Sequence, residues 1–179
     1  MMRRSRVPLI LLAVWLVLSL VGCAGLAGKP TPPEPQPQPK PVETVAVKLY
    51  FGSPDAEHLT AEINQLNKDP LLLQRAMESL IAGPKNKKLW PVLPVATQVR
   101  SVIVRDKVAQ ADFSADLTTK KGGGSASEIL AVSAIVYTLT EFPGVERVQI
   151  MIEGKKVATL YGHMDLSEPL GRIAGMLQE

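Results

Sequence analysis

The sequence predicts an α+β domain in which two helices pack on one face of a mostly antiparallel sheet, in the order β-β-α-β-β-α-β. Three observations predict it. Short runs rich in valine and isoleucine are bounded by turn residues, as in Val45–Phe51 and Val99–Val104. Two longer stretches carry apolar side chains at helical spacing. The strand-like runs come mostly in pairs joined by turns, which favours hairpins over the strict strand and helix alternation of a doubly wound parallel sheet.

Val45 to Phe51 reads as the first strand, stopped by Gly52, Ser53, Pro54 and Asp55, and His58 to Leu66 reads as its hairpin partner. Asp69 stands as an N-cap with Pro70 at the first helical position. Leu73, Ala76, Met77, Leu80 and Ile81 then recur at helical spacing until Gly83-Pro84 stops the helix. Val99 to Val104 and Val108 to Phe113 form a second hairpin joined at Asp106-Lys107. Ser125-Ala126-Ser127-Glu128 has the spacing of a capping box, the serine serving the N3 amide and the glutamate reaching back to the N-cap amide, so a second helix starts there. Its Ile129, Val132, Val136 and Leu139 fall on one stripe, and Phe142-Pro143-Gly144 ends it. Val148, Ile150 and Ile152 alternate in a further strand before the Glu153-Gly154 turn, with Val157 to Leu160 as its expected return partner. The domain is placed at residues 44–170, and the tail at residues 171–179 is expected to be loosely attached.

Ahead of the domain, Arg3, Arg4 and Arg6 precede an apolar run from Val7 to Val21, shorter than the ~20 residues of a spanning helix. It closes on Leu20-Val21-Gly22-Cys23, which resembles the bacterial lipobox. That resemblance makes residues 1–22 a lipoprotein signal peptide and Cys23 the lipidated first residue of the mature chain, held on the extracytoplasmic face of the cell membrane. The alternative is an incidental or buried thiol. A single cysteine excludes an internal disulfide framework and cysteine-based metal sites. Removing the leader takes three arginines and no acid, leaving 17 basic against 17 acidic residues, so the basicity of the whole chain is a targeting property and nucleic acid is excluded as a partner. Residues 23–43 form a linker with prolines at 30, 32, 33, 35, 37, 39 and 41. Alternating prolines favour polyproline II at ~3.1 Å per residue, a stalk of ~45 Å, with a PxxP ligand as the alternative.

The residues offer few chemical constellations. Lys120-Lys121-Gly122-Gly123-Gly124-Ser125 lies between a strand and a helix, but its lysines precede the glycines instead of following them, so the phosphate-loop motif is incomplete. A capping loop is the better reading, and an anion at the helix N-terminus the alternative. Asp112, Asp116 and Glu128 would have to gather in a cleft to act as paired carboxylates. His58 and His163 are the only histidines and make no metal site, and no Gly-x-Ser-x-Gly elbow supplies a nucleophile. No catalytic residue, metal or cofactor is therefore expected. Lys85, Lys87 and Lys88 beside Trp90 form the one dense basic and aromatic cluster, read as a solvated loop with a core tryptophan rather than a contact for anionic wall polymer or lipid. Tyr137 and Thr138 are read as packing and local bonding positions.

Several fragments, in order, resemble the GerMN domain of lipoproteins and other envelope proteins of sporulation and spore germination. They are Leu80-Ile81-Ala82-Gly83-Pro84, Pro94 with Thr97 and Val99, Ala111-Asp112-Phe113-Ser114, Ile135 to Phe142, and Val148-Gln149-Ile150 followed by Gly154. The resemblance also reaches Asp165 to Leu170. It implies an envelope role in sporulation or germination, with the domain as an interaction module similar to ring-building motifs, and brings no established enzymatic activity. Its expected partners are the membrane, through the lipid, and envelope proteins or the chain itself. A protein that binds peptidoglycan or modifies wall glycan is the alternative, opposed by the low aromatic content.

Overall fold

The structure, a computed structural model, describes residues 43–119 and 124–178. Cys23, the leader, most of the proline-rich linker and Lys120 to Gly123 lie outside the described residues.

Strands β1 (Thr44–Gly52) and β2 (Leu59–Asn67) pair antiparallel in continuous register, from Thr44 opposite Asn67 to Gly52 opposite Leu59. Helix α1 (Leu72–Ala82) buries Ala76, Met77, Leu80 and Ile81, the face that the apolar spacing marks. Asp69 acts just before it: its Oδ1 accepts the Leu71 amide at 2.9 Å and its Oδ2 pairs with Arg75 Nε at 2.9 Å. Gly83 ends the helix at φ +93°, a conformation that side-chain-bearing residues rarely adopt.

Strands β3 (Val99–Arg105) and β4 (Val108–Phe113) form the second hairpin. Asp106 and Lys107 both take positive φ, +48° and +63°, the two left-handed residues of a turn whose twist suits a two-residue hairpin. Strand β5 (Arg147–Ile152) lies beside β4 in parallel, Val108 opposite Arg147 and Phe113 opposite Ile152. Parallel neighbours need a crossover, supplied by a 3-10 turn at Ala115–Thr118 and helix α2 (Ser125–Leu139). The architecture is thus α+β, with two helices, six strands in the expected order and mostly antiparallel pairing. Its strands divide into a β1-β2 sheet and a β3-β4-β5-β6 sheet.

Strand β6 is confined to Lys155–Lys156, earlier than the expected return strand at Val157 to Leu160. The tight turn at Glu153 and Gly154, again both at positive φ, brings Lys155 straight back opposite Ile152. The chain then leaves the sheet, because its next polar groups are drawn to α2.

Helix α2 organises the core. The residues from Leu130 to Leu139 are buried without a break, so the expected single apolar stripe is too narrow a description. The helix touches α1, β1 and β5, one element or more from each sheet. A helix apolar on all sides belongs to a core rather than a surface.

The capping box at its start does not form: Gly124 occupies the N-cap position, with no side-chain cap bond. Glu128 turns inward instead and is completely buried. Its Oε1 accepts Thr159 Oγ1 at 2.5 Å, Leu160 N at 2.9 Å and Tyr161 N at 3.0 Å, and its Oε2 accepts His163 N at 2.7 Å. Burial pushes this carboxyl up, but the Thr159 hydroxyl and the three amides outweigh it and hold it below the ordinary carboxylate value. The capping-box spacing is real, yet the loop after β6 supplies more donors than the helix N-terminus does.

The tail beyond Gly171 is docked rather than loose. Leu170, the residue before Gly171, bridges Val148 with two backbone bonds of 2.8 Å and sets the tail's starting point. Arg172 lies over the Tyr137 ring at 5.0 Å, donates to Thr140 Oγ1 at 2.8 Å and pairs with Glu141. Leu59 donates its amide to the Met176 carbonyl at 2.7 Å and receives the Gln178 amide at 3.0 Å. Polar backbone near buried groups needs such partners, and the tail provides them.

Two outcomes follow. Truncation after Gly171 destabilises the domain by about 3 kcal/mol in urea unfolding, on ~1 kcal/mol per net hydrogen bond plus the cation–π contact, whereas a loose tail would leave the midpoint unchanged. Glu128→Gln leaves a buried amide facing four donors and costs about 3 kcal/mol at neutral pH. Because the folded-state value of Glu128 is depressed, its contribution is complete above the unfolded value and is lost as pH falls through the folded one. Urea midpoints between about pH 6 and about pH 2 therefore fall less steeply for the variant than for the parent chain.

Candidate functional site

The acids that a hydrolytic site would need are spent on separate structural tasks. Asp112 Oδ1 accepts the Gly154 amide at 2.8 Å and its Oδ2 accepts Arg100 Nε at 3.0 Å. Arg100 stands at the irregularity between Val99 and Ser101, where β3 slips against β4, and its Nη1 also reaches Glu153 at 2.6 Å. A bulge of this kind re-aims one side chain out of the ladder, here onto two acids beside the β5–β6 turn. Asp116 accepts the Ser114 hydroxyl at 2.9 Å, and Glu128 holds the loop after β6. These three carboxylates share no partner.

Sequence reasoning passed over one grouping, Ser53, Asp55 and His58 in the β1–β2 loop, whose signal was the Ser-x-Asp-x-x-His spacing. His58 Nδ1 lies 3.1 Å from Asp55 Oδ2, as in a nucleophilic triad. The serine is misplaced for that chemistry: Ser53 Oγ donates to the same Asp55 carboxylate and lies 2.9 Å from the His58 carbonyl, with no bond to the imidazole. The Ser53 hydroxyl, the Glu57 amide and the His58 ring hold the Asp55 carboxyl well below the usual range, so this aspartate fastens the loop. His163 sits on the other side of the Glu128 latch through its own amide. Among the described residues no three His, Cys, Asp or Glu side chains gather to hold a metal.

Tyr137 and Thr138 are packing and bonding positions, as expected. Thr138 Oγ1 accepts the Tyr50 amide at 3.2 Å, and Tyr137 packs edge-on against Tyr50 at 5.3 Å while donating its hydroxyl to the Ile173 carbonyl. Tyr50 donates to Glu141 Oε1 at 2.8 Å, and burial together with that acid pushes its phenol up to about 12.

What remains is the connection between α1 and β3. Leu89 and Leu93 of this segment are buried, but Trp90 is 59% exposed and Val95 74% exposed, which corrects the reading of Trp90 as a core residue. The reason is backbone pairing: Trp90 and Gly52 exchange two bonds, of 3.0 and 2.8 Å, at the end of β1. A Cβ on Gly52 would stand 3.3 Å from Val92 and 3.4 Å from Trp90, so the small residue lets the segment lie close and turns the indole outward. Glu62 of β2 anchors the start of the segment, accepting the Lys85 and Asn86 amides at 3.2 and 2.7 Å. Between this segment, the end of α1 and Tyr161 lies a groove of about 550 Å³ with Leu89, Val92 and Leu93 among its lining and Lys87 beside them.

A second accessible feature is β3, which among the described residues pairs with β4 alone and so presents its other side as a sheet edge, with Ile103 and Val104 exposed.

A family model described as Germane, sporulation and spore germination, matches residues 48–158. The spore germination protein GerM of Bacillus subtilis (strain 168) is 28% identical over 139 residues, covering 74% of this chain and 37% of that protein. The chain therefore spans little more than a third of that relative's length. Among solved structures, the tandem GerMN domains of the sporulation protein GerM from Bacillus subtilis superpose with a TM-score of 0.63 at 25% identity, over 72% of this chain and 46% of that one. The first GerMN domain alone gives 0.63 at 26% identity, over 72% and 98%. A Clostridium perfringens protein provisionally designated a lipoprotein gives 0.53 at 27% identity, over 72% and 87%. The matched span holds the Gly83-Pro84 stop, the Asp112 element and the whole of α2, and the chain belongs to the Germane family of sporulation and spore germination domains.

Proposed function

We propose that the protein is a lipid-anchored, extracytoplasmic assembly factor whose GerMN domain holds envelope proteins, or copies of itself, in place during sporulation or germination, with no reaction of its own. The observation that carries the reading is the family match across residues 48–158. Two features support it. The acids weighed for hydrolysis, Asp112, Asp116 and Glu128, are each engaged in separate internal hydrogen bonds and do not form an acid and base pair with one another. The free side of β3 and the exposed Trp90 segment offer surfaces of the kinds that proteins use to bind one another.

Attachment rests on Cys23 at the end of the apolar leader. No helix among the described residues is long and apolar enough to cross a membrane. One acyl chain gives only marginal membrane binding, so a stable anchor at Cys23 carries at least two, with the proline-rich stalk as spacer. For the alternative reading, a wall-glycan-modifying protein, Asp112, Asp116 and Glu128 offer no shared cleft among the described residues.

Cys23→Ser is expected to abolish labelling by radioactive palmitate and to leave the leader uncleaved, read by gel mobility and mass spectrometry of the purified chain. Asp116→Asn is expected to leave sporulation or germination at the parent level in a complementation assay. Loss of function in that variant with an unchanged melting temperature would count for catalysis and against an assembly role.

A further inference from the structure

Strand β1 is uncovered on one side near its start. Gly52 exchanges two main-chain bonds with Trp90, and Tyr50 donates its amide to Thr138 Oγ1 at 3.2 Å, so the even-numbered residues of β1 turn their N–H and C=O groups away from β2. The register with β2 runs without a break, and Ala46 and Lys48 share that phase, about 7 Å apart. Among the described residues, nothing bonds their outward main chain. Both residues line a cleft of about 250 Å³ whose apolar walls include Val47, Leu72 and Phe142. The two charged side chains of the cleft, Lys48 and Glu141, stand 3.5 Å apart and answer each other. We propose that this stretch of β1 receives an extended segment of another envelope protein as an added strand, which bonds Ala46 and Lys48 through its main chain and places one uncharged apolar side chain in the cleft.

Three features select that occupant. Donors and acceptors spaced along a strand edge are matched by another extended main chain, which a lipid headgroup or a sugar polymer does not supply in register. The cleft is smaller than the ~300 Å³ at which sites for small molecules begin, and suits a single side chain. Because its two charges are already paired, it favours a neutral residue and gives an anionic polymer no free cation to meet. A second copy of this chain is the poorer fit. The bare edge that such a copy offers, β3, brings Arg105, a cation without an ion pair among the described residues, to a cleft whose one acid is already engaged by Lys48, Arg172 and Tyr50.

This proposal deepens the assembly reading and rests on it. The test is made in cells of the native host with the full chain, carrying photoreactive p-benzoylphenylalanine at Pro143, an exposed residue of the cleft. After irradiation the adduct is digested and sequenced by mass spectrometry. Two proline variants read out the added strand. Ala46→Pro removes an outward N–H that bonds nothing among the described residues, and Gln65→Pro does the same directly opposite, on the outer edge of β2, positions of the kind where a strand tolerates proline. The expected adduct is a peptide of another envelope protein with an uncharged apolar residue, its yield lowered about tenfold by Ala46→Pro and unchanged by Gln65→Pro, at the parent melting temperature. If Ala46→Pro lowers that temperature, Lys48→Pro, which removes the other free amide, takes its place. Capture of lipid, of glycan, of a second copy or of residues 24–42 of the same chain, no adduct, or a yield indifferent to loss of the free amide overturns the proposal. A probe at exposed Ile103 on β3 separates two failures: capture of an envelope protein there with none at Pro143 overturns the cleft and spares the assembly reading, and capture at neither site counts against both.

Discussion

The structure depends on one helix with no exposed face along most of its length. From Leu130 to Leu139 every side chain of α2 is buried, and a helix of that kind cannot lie on a surface. The β1-β2 hairpin covers it through β1, α1 packs beside it, and β5 closes it from the other sheet. The division of the strands into two sheets follows from this demand. A single sheet with helices on one face covers one side of each helix, whereas two sheets can meet the same helix on different sides. The parallel pairing of β4 with β5 has the same origin, since α2 is the crossover between them.

The tail and the loop after β6 complete that cover. Glu128 opens α2 with a buried carboxylate, which would be unfavourable without donors, and the loop from Thr159 to His163 brings four. At the other end of the helix, Arg172 stacks on Tyr137 and meets Thr140 and Glu141. One stretch of chain is thus fastened to both ends of α2. Cations near a helix C-terminus also complement its dipole, which adds to the attraction at Arg172.

The order of elements was legible because it rests on local chemistry. Asp106-Lys107 and Glu153-Gly154 are two-residue turns at positive φ, and Gly83-Pro84 stops α1 where the apolar spacing ends. The inner face of α1 was equally legible, since Ala76, Met77, Leu80 and Ile81 carry a simple period. What escaped depends on contacts far apart in sequence. Glu128 has capping-box spacing, and only the position of residues more than thirty places later decides that it turns inward. The exposure of Trp90 is decided by its pairing with Gly52, and the docking of Arg172 by a tyrosine on α2. A tryptophan and a charged tail carry no local sign of which way they face.

The same pairing logic bears on how a nearly neutral mature chain meets its partners. Charge balance over a sequence says little about a surface when one sign is drawn inward. Asp112, Glu128, Glu62 and Glu141 each accept hydrogen bonds from the protein itself, and those bonds compensate what the carboxylates lose in leaving water. A lysine, by contrast, can bury its stem and keep its charge in water. Lys87 beside the groove, Lys88 next to it in sequence, and Arg105 at the end of β3 are exposed and without an ion pair among the described residues. On the β3 edge, exposed Ile103 and Val104 are followed by Arg105, a charge of the kind that discourages indiscriminate strand addition, since a partner strand has to answer it before its backbone can pair.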